Sequence, residues 1–339
     1  LSEDVLNQNV AGIKAQLEKY LDFNPALANA AEMVNNYDWF KGISFLEFIR
    51  DAGKHITVNY MMAKDSVKKR LESENGMSFT EFTYQLVQGY DFYWLHTHKH
   101  TRLQMGGSDQ WGNIVTGTEL IRRKSSGEAF AFTCPLIKKA DGGKFGKTEK
   151  GNIWLDAEKT TPYQFYQFWL NASDSDAETW IKIFTFLTKD EIDSILQQHQ
   201  QNASERVLQK KLAEQVTMFV HGEAALNVAL ETTAKLFANQ KAPADSLSEE
   251  DLGSIEGIVR STYDASKIKE GVDILVFLTD TAIFDSKGAA RKMLQNGGIS
   301  INRVKITDAQ MKVGTDHLLH DKYILVQVGK KNYYLVTIS

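Results

Sequence analysis

Arg102-Leu103-Gln104-Met105-Gly106-Gly107-Ser108-Asp109-Gln110-Trp111-Gly112-Asn113 is the stretch that decides the fold. It opens as a strand, turns tightly at the glycine pair, and enters a helix running from about Asn113 to Lys124. Strand, glycine turn and helix are the parts of an open α/β sheet, in which ligands bind beyond the carboxyl ends of the strands. Gly107 permits close backbone approach there, and the Asp109 carboxylate can hold ribose hydroxyls. A plain connection with Asp109 capping the helix accounts for the same residues.

Just upstream, Phe79–Leu95 is apolar on most sides, as in a buried helix. Tyr84, Gln88 and Asp91 nevertheless fall at i, i+4 and i+7, one face at 3.6 residues per turn. Buried amide and carboxyl groups need hydrogen-bond partners, from a ligand or from the protein itself. Downstream, Asp141-Gly142-Gly143-Lys144-Phe145-Gly146-Lys147-Thr148 sets two lysines in a glycine frame. Such a loop suits a polyphosphate, because glycine allows backbone approach and lysine supplies mobile charge. It is not a Walker A loop, which needs a glycine where Asp141 stands. A solvated hairpin is the plain alternative.

The 339 residues suffice for two or three domains, and 42% hydrophobic with 24% charged residues is the balance of a globular protein. No apolar run approaches a membrane span, so no membrane partner is expected. The single cysteine, Cys134, excludes an intrachain disulfide and a cysteine zinc cluster, and suits a reducing cytoplasm. Net charge −4 argues against indiscriminate nucleic-acid coating, and no DNA partner is expected. Local basic groups remain: Arg122-Arg123-Lys124, the set Lys138, Lys139, Lys144, Lys147 and Lys150, then Lys287, Arg291 and Lys292, and Lys330-Lys331. His96, His98 and His100 read as a polar, loop-like segment without converging ligands, so no tightly bound metal is expected. Phe165, Tyr166, Phe168 and Trp169 read as helical core.

Periodicity predicts helices over 1–20, 27–50 and 60–73, then a helix-rich stretch from Pro162 with helices near 162–171, 176–187, 189–200 and 204–221. The domains expected are 1–160, 161–239, a linker over 240–263 containing Pro243, and a last unit over 264–339. That unit carries a basic helix near 286–295, with Lys287 and Arg291 one turn apart, and strands at 299–302 and 322–337. A basic helix on a small sheet suits structured RNA.

Taken as whole strings, Leu-Gln-x-Gly-Gly-Ser-Asp-Gln-x-Gly-Asn, Tyr-x-x-x-Gln-x-x-Asp and Lys-Phe-Gly-Lys-Thr resemble the bacterial tyrosyl-tRNA synthetases. The fold implied is α/β: the second half of a Rossmann-like class I catalytic domain, an α-helical anticodon-arm domain, and a small α+β RNA-binding domain of ribosomal-protein type. The resemblance implies that Tyr84 and Gln88 hold the tyrosine ammonium and that Asp91 accepts from its phenol. By the same resemblance Gln110 contacts the tyrosyl group, Gly107 and Asp109 meet the ribose, and Gln104 lines the pocket. Lys144 and Lys147 would stabilise the pyrophosphate leaving group. Glu119-Leu120-Ile121-Arg122-Arg123 resembles the segment facing the tRNA acceptor end, so Arg122 and Arg123, with Lys287 and Arg291, are the tRNA-binding candidates.

The implied substrates are tyrosine, ATP with Mg2+, and tyrosine tRNA. A homodimer is implied too, because Asn35–Trp39 and Val58–Lys64 resemble the family's connecting segment, which forms the dimer interface, with Phe79 at the contact and Asn36 approaching the tyrosine pocket. None of the eight histidines lies in the family's His-x-Gly-His signature. Roughly the first 85–90 family positions are therefore expected to be absent, which leaves open whether this polypeptide acts alone. A noncatalytic RNA-binding module and another nucleotide-dependent ligase, such as a tryptophan enzyme, are the competing readings.

Overall fold

The computed structural model describes residues 2–73, 76–143, 145–148, 151–237, 244, 247–254, 258–329 and 332–339. The chain divides into two compact units, Leu1–Phe145 and Gly146–Ser339.

The first unit opens with α1 (Glu3–Leu17), followed by the short helices α2 (Tyr37–Phe40), α3 (Phe45–Asp51), α4 (Val58–Met62) and α5 (Asp65–Leu71). The helix expected over 27–50 is absent over 27–36 and broken in two after that, and the one expected over 60–73 is broken in two. Gly42 and the capping Ser44 interrupt the first. The second is split at Lys64, which is extended at φ −66° and ψ 135°. The long α6 (Phe79–Lys99) starts at a capping box between Ser78 and Glu81 and ends at His100 in the left-handed conformation. His96 and His98 therefore lie on the last turns of a helix, not in a loop.

Next come β1 (Leu103–Gly107), α7 (Trp111–Ser125) and β2 (Phe130–Cys134). The two strands pair in parallel, Leu103 with Phe130 and Gly107 with Cys134, so the strand–turn–helix reading completes a βαβ unit. Helices α6 and α7 cross with almost no space between them. A Cβ on Gly117 would stand 2.7 Å from the Phe92 Cβ, and one on Gly89 would stand 3.1 Å from the Thr116 methyl. On the other side of β1 and β2, Leu103, Met105, Phe130 and Phe132 make one exposed apolar face. Parallel strands are ordinarily covered on both faces.

The second unit begins with the two-residue strands β3 (Lys147–Thr148) and β4 (Gly151–Asn152), which pair antiparallel. A helical bundle follows: α8 (Pro162–Leu170), α9 (Asp174–Phe184), α10 (Lys189–Gln201), α11 (Val207–His221) and α12 (Glu223–Phe237). Phe165, Tyr166 and Trp169 are buried in it, as the sequence predicts.

After α13 (Glu249–Ser254), strand β5 (Val259–Tyr263) already belongs to the last sheet, although it lies inside the stretch read as linker; Arg260, Ser261 and Thr262 hide its pattern. The rest is α14 (Ala265–Glu270), β6 (Val272–Asp273), α15 (Ile274–Asp280), α16 (Lys287–Gln295), β7 (Ile299–Ile301), β8 (Val304–Ile306), β9 (Lys312–Val313), β10 (Tyr323–Val328) and β11 (Asn332–Ile338). The sheet order is β5-β11-β10-β7-β8, and its core includes Phe277, Leu294, Ile301 and Val326. Asn302 and Arg303 both have positive φ in the two-residue turn between β7 and β8. The Asn302 amide there bonds the Leu325 N–H and the His317 carbonyl.

Among the described residues, no helix is long and apolar enough to cross a membrane.

Candidate active site

The polar face of α6 is where the site begins. Asp91 is half-buried and receives one donor on each oxygen: the Trp39 indole N–H on Oδ1 at 2.9 Å and the Asn36 amide on Oδ2 at 3.2 Å. Burial pushes its carboxyl above the ordinary carboxylate range, and the two hydrogen bonds pull it back. One turn earlier, Gln88 Oε1 accepts from the Asn113 amide at 2.9 Å. The same Asn113 nitrogen donates to Gln110 Oε1 at 3.3 Å, and Gln110 Nε2 donates to Asp109 Oδ2 at 3.0 Å. Gln88, Asn113, Gln110 and Asp109 thus form one hydrogen-bonded line from α6 to the turn after β1.

Asp109 does not cap α7. It sits in the 3-10 turn Ser108–Gln110, and the helix starts after Gln110. Gly107 has an ordinary φ of −70°, so its role is spatial. A Cβ there would meet the Asp109 carboxylate oxygen at 2.6 Å and Leu136 at 2.9 Å. Tyr84, Asp109 and Asn113 share the lining of an open cleft of about 370 Å³ with Ser66, Arg70 and Gln85. Tyr84 is mostly exposed there.

The basic candidates sit differently from one another. Arg122 grips Glu119 with two bonds of 2.9 and 2.8 Å, and Arg123 binds both Glu119 and the His55 carbonyl, the latter at 2.9 Å. The Arg122 guanidinium, with Arg123, holds the Glu119 carboxyl down at about 2. Lys124 leaves the basic patch suggested by the sequence. It pairs with Asp51 and lies over the Tyr93 ring, with its side chain only 15% exposed. Lys287 and Arg291 are exposed on α16, whose opposite face buries Ala290 and Leu294. Lys144, Lys150, Lys330 and Lys331 lie outside the described residues, and of Lys147 only the backbone is described, in β3. No group of three or more His, Cys, Asp or Glu side chains among the described residues is placed to hold a metal ion.

Sequence reasoning missed Asn113 as a site residue and Trp39 as the partner of Asp91. Asn113 follows Gln110 by three positions, a helical neighbour spacing that gave some signal. Trp39 gave none, because its tie to Asp91 spans 52 residues.

The family model for class I tRNA synthetases (W and Y) matches residues 1–238, and that for the tyrosine–tRNA ligase SYY-like C-terminal domain matches residues 255–336. A tyrosine–tRNA ligase of Bacteroides fragilis is 56% identical over 341 residues, which cover 99% of this chain and 79% of the relative. One of Porphyromonas gingivalis is 56% identical over 346 residues, covering 100% of this chain and 80% of the relative. Among solved structures, a C-terminally truncated mitochondrial tyrosyl-tRNA synthetase of Aspergillus nidulans superposes with a TM-score of 0.57 at 30% identity, covering 70% of each chain. The corresponding Coccidioides posadasii structure gives 0.52 at 28% identity, over 65% of this chain and 64% of that one. With both halves of the chain matched and the relatives this similar along its length, the chain belongs to the class I aminoacyl-tRNA synthetases, in the tyrosine–tRNA ligase family.

Proposed function

We propose that the chain carries the tyrosine-reading and ribose-reading side of the tyrosine–tRNA ligase reaction. The tyrosine carboxylate attacks the α-phosphorus of ATP, giving tyrosyl-adenylate and pyrophosphate; the terminal ribose hydroxyl of tyrosine tRNA then takes the tyrosyl group and releases AMP. The observation that carries this reading is the hydrogen-bonded line from Gln88 through Asn113 and Gln110 to Asp109, with Asp91 one turn along α6. It runs from Gln88, one turn from the Asp91 carboxylate that reads the phenol, to Asp109, the carboxylate that reads the ribose, so it spans the tyrosyl and ribose parts of an aminoacyl-adenylate.

In this reading Asp91 accepts from the substrate phenol, and Tyr84 and Gln88 hold its ammonium. Gln110 contacts the tyrosyl group, and Gly107 and Asp109 hold the ribose. Lys144 and Lys147 neutralise the pyrophosphate as it leaves, with magnesium arriving as the counter-ion of ATP. Arg122 and Arg123 meet the acceptor end of the tRNA, and Lys287 and Arg291 meet its backbone. Catalysis is positioning and electrostatic stabilisation, without a covalent enzyme intermediate.

Two further parts of the reading have support in the first unit. The exposed face of Leu103, Met105, Phe130 and Phe132 is suited to a further layer, the first βαβ half with its His-x-Gly-His signature. The exposed Phe45, Leu46, Val58 and Phe79 are suited to a homodimer contact. The reaction runs in the cytoplasm, where Cys134 stays reduced.

The test is Asp91→Ala in the complete enzyme, assayed by tyrosine-dependent and phenylalanine-dependent ATP–pyrophosphate exchange. A lost charge-assisted hydrogen bond costs roughly 10- to 100-fold in the preference for tyrosine. An equal loss with both amino acids would mean structural damage and would remove the phenol-reading role.

A further inference from the structure

We propose that Trp94 is a positioning residue for tyrosine recognition: its indole ring, stacked on Trp39, sets the direction in which the Trp39 N–H reaches Asp91. The inference rests on the phenol-reading role given to Asp91 above.

Trp39 needs such support. It sits on α2, a helix of four residues whose Asn36 N-cap makes no side-chain capping bond. One isolated turn is not stable by itself, so the ring is held by what it packs against. It lies in a buried cluster with Ala52, Ile56, Leu86 and Tyr90, and the ring stacked flat against it is Trp94, with ring centroids 4.3 Å apart and planes 13° apart. Trp94 stacks in turn on His98, at 4.4 Å and 16°. The His98 ring is itself fixed by a 2.9 Å hydrogen bond between Nδ1 and the Trp94 carbonyl oxygen. Trp39, Trp94 and His98 therefore form one column of flat rings.

The column stands on the same helix as the acceptor it serves. Asp91, Trp94 and His98 are at i, i+3 and i+7 on α6, so they share a face. A single rigid helix thus presents both the carboxylate and the plane against which the donor ring lies. An indole has one N–H, and it points along the ring plane. A flat stack lets the ring slide within its plane but resists tilting, which is the motion that would swing the N–H off Asp91. The only other hydrogen bond to Asp91 among the described residues comes from Asn36, at the longer distance of 3.2 Å. Tilting of Trp39 would leave the carboxylate half-tethered and free to turn from a bound phenol. Sequence gave no sign of this: His98 read as one of three histidines in a polar, loop-like segment, and Trp94 lay within the apolar run Phe79–Leu95.

Two readouts in the complete protein test the proposal, one of which needs no ligand. The first is hydrogen exchange of the Trp39 indole N–H, followed by NMR. The second is the ratio of affinities for L-tyrosine and L-phenylalanine, measured by titration. Trp94→Ala should speed the exchange about three- to tenfold and lower the ratio by a similar factor, the usual worth of an aromatic pair. Trp94→His, which keeps a flat ring, should restore most of both. His98→Ala, at the outer end of the column, should act in the same direction and less strongly, and it serves if Trp94→Ala does not fold. Unchanged Trp39 exchange in Trp94→Ala, or equal losses in Trp94→His, would overturn the proposal. A preference abolished by Asp91→Ala but untouched by Trp94→Ala would overturn the positioning role and leave the phenol-reading role standing. A preference that survives Asp91→Ala would overturn both.

Discussion

The side-chain nitrogen of Asn113 donates to Gln88 at 2.9 Å, tying the start of α7 to the middle of α6. The same nitrogen reaches Gln110 at 3.3 Å, and through Gln110 the carboxylate of Asp109. Asn113→Ala breaks this line at its centre, leaving Gln88 and Gln110 free to turn. A hydrogen bond of this kind is worth about 0.5–1.5 kcal/mol, so tyrosine affinity should fall roughly two- to tenfold. Isothermal titration with tyrosine measures it; unaltered affinity would mean that the line does not hold the tyrosine-binding groups.

Gly117→Ala tests the crossing that makes this tie possible. Alanine gains about 1 kcal/mol of helix propensity over glycine. Against that stands a new Cβ only 2.7 Å from the Cβ of Phe92, which is fully buried. Overpacking of this kind costs about 1–3 kcal/mol, and neither atom is the end of a flexible side chain. The net expectation is a loss of stability, read as a lower urea midpoint at constant slope. A raised midpoint would show that the helices can separate at little cost.

Acid should act on the first unit through Glu119. Its carboxyl lies at about 2 in the folded protein because Arg122 and Arg123 grip it, whereas a free glutamate lies at 4.5. A depressed carboxyl stabilises the fold above its unfolded value, and that contribution drains away as pH falls through the interval between the two. Glu119→Gln should therefore cost about 1–2 kcal/mol near pH 7, a figure reduced for the exposure of Arg122. The gap between variant and parent should narrow as pH drops from about 5 toward 3. Chemical denaturation at several pH values checks both, and a gap independent of pH would remove Glu119 as the titrating group.

The role proposed for Lys147 lies in the chemical step. In the complete enzyme, Lys147→Ala should slow tyrosyl-adenylate formation about 10²–10³-fold while leaving tyrosine affinity nearly unchanged, because its charge is needed only as pyrophosphate leaves. Pre-steady-state measurement at saturating ATP reads this directly. A rate within about threefold of the parent would correspond to less than about 1 kcal/mol of barrier, making the loop a solvated hairpin.

What the sequence by itself determined was local and periodic. Tyr84, Gln88 and Asp91 share a face because a helix repeats every 3.6 residues, and Ser78 with Glu81 starts that helix by a capping box that can be read three positions apart. The strand from Leu103 and the helix after it follow from the same short-range logic, although the turn falls at Ser108–Gln110, just after the glycine pair, and the parallel pairing of β1 with β2 was not legible. Only the tertiary structure decided which groups meet across the chain. Asn113 and Gln88 are 25 residues apart, Asp91 and Trp39 are 52 apart, and Lys124 and Asp51 are 73 apart. Such pairs depend on how closely two helices cross, here set by Gly89 and Gly117, and on where the short helix carrying Trp39 comes to rest. The side chain at one position says nothing about the second surface packed against it, so periodicity could mark Asp91 as polar without revealing that an indole and an amide hold it.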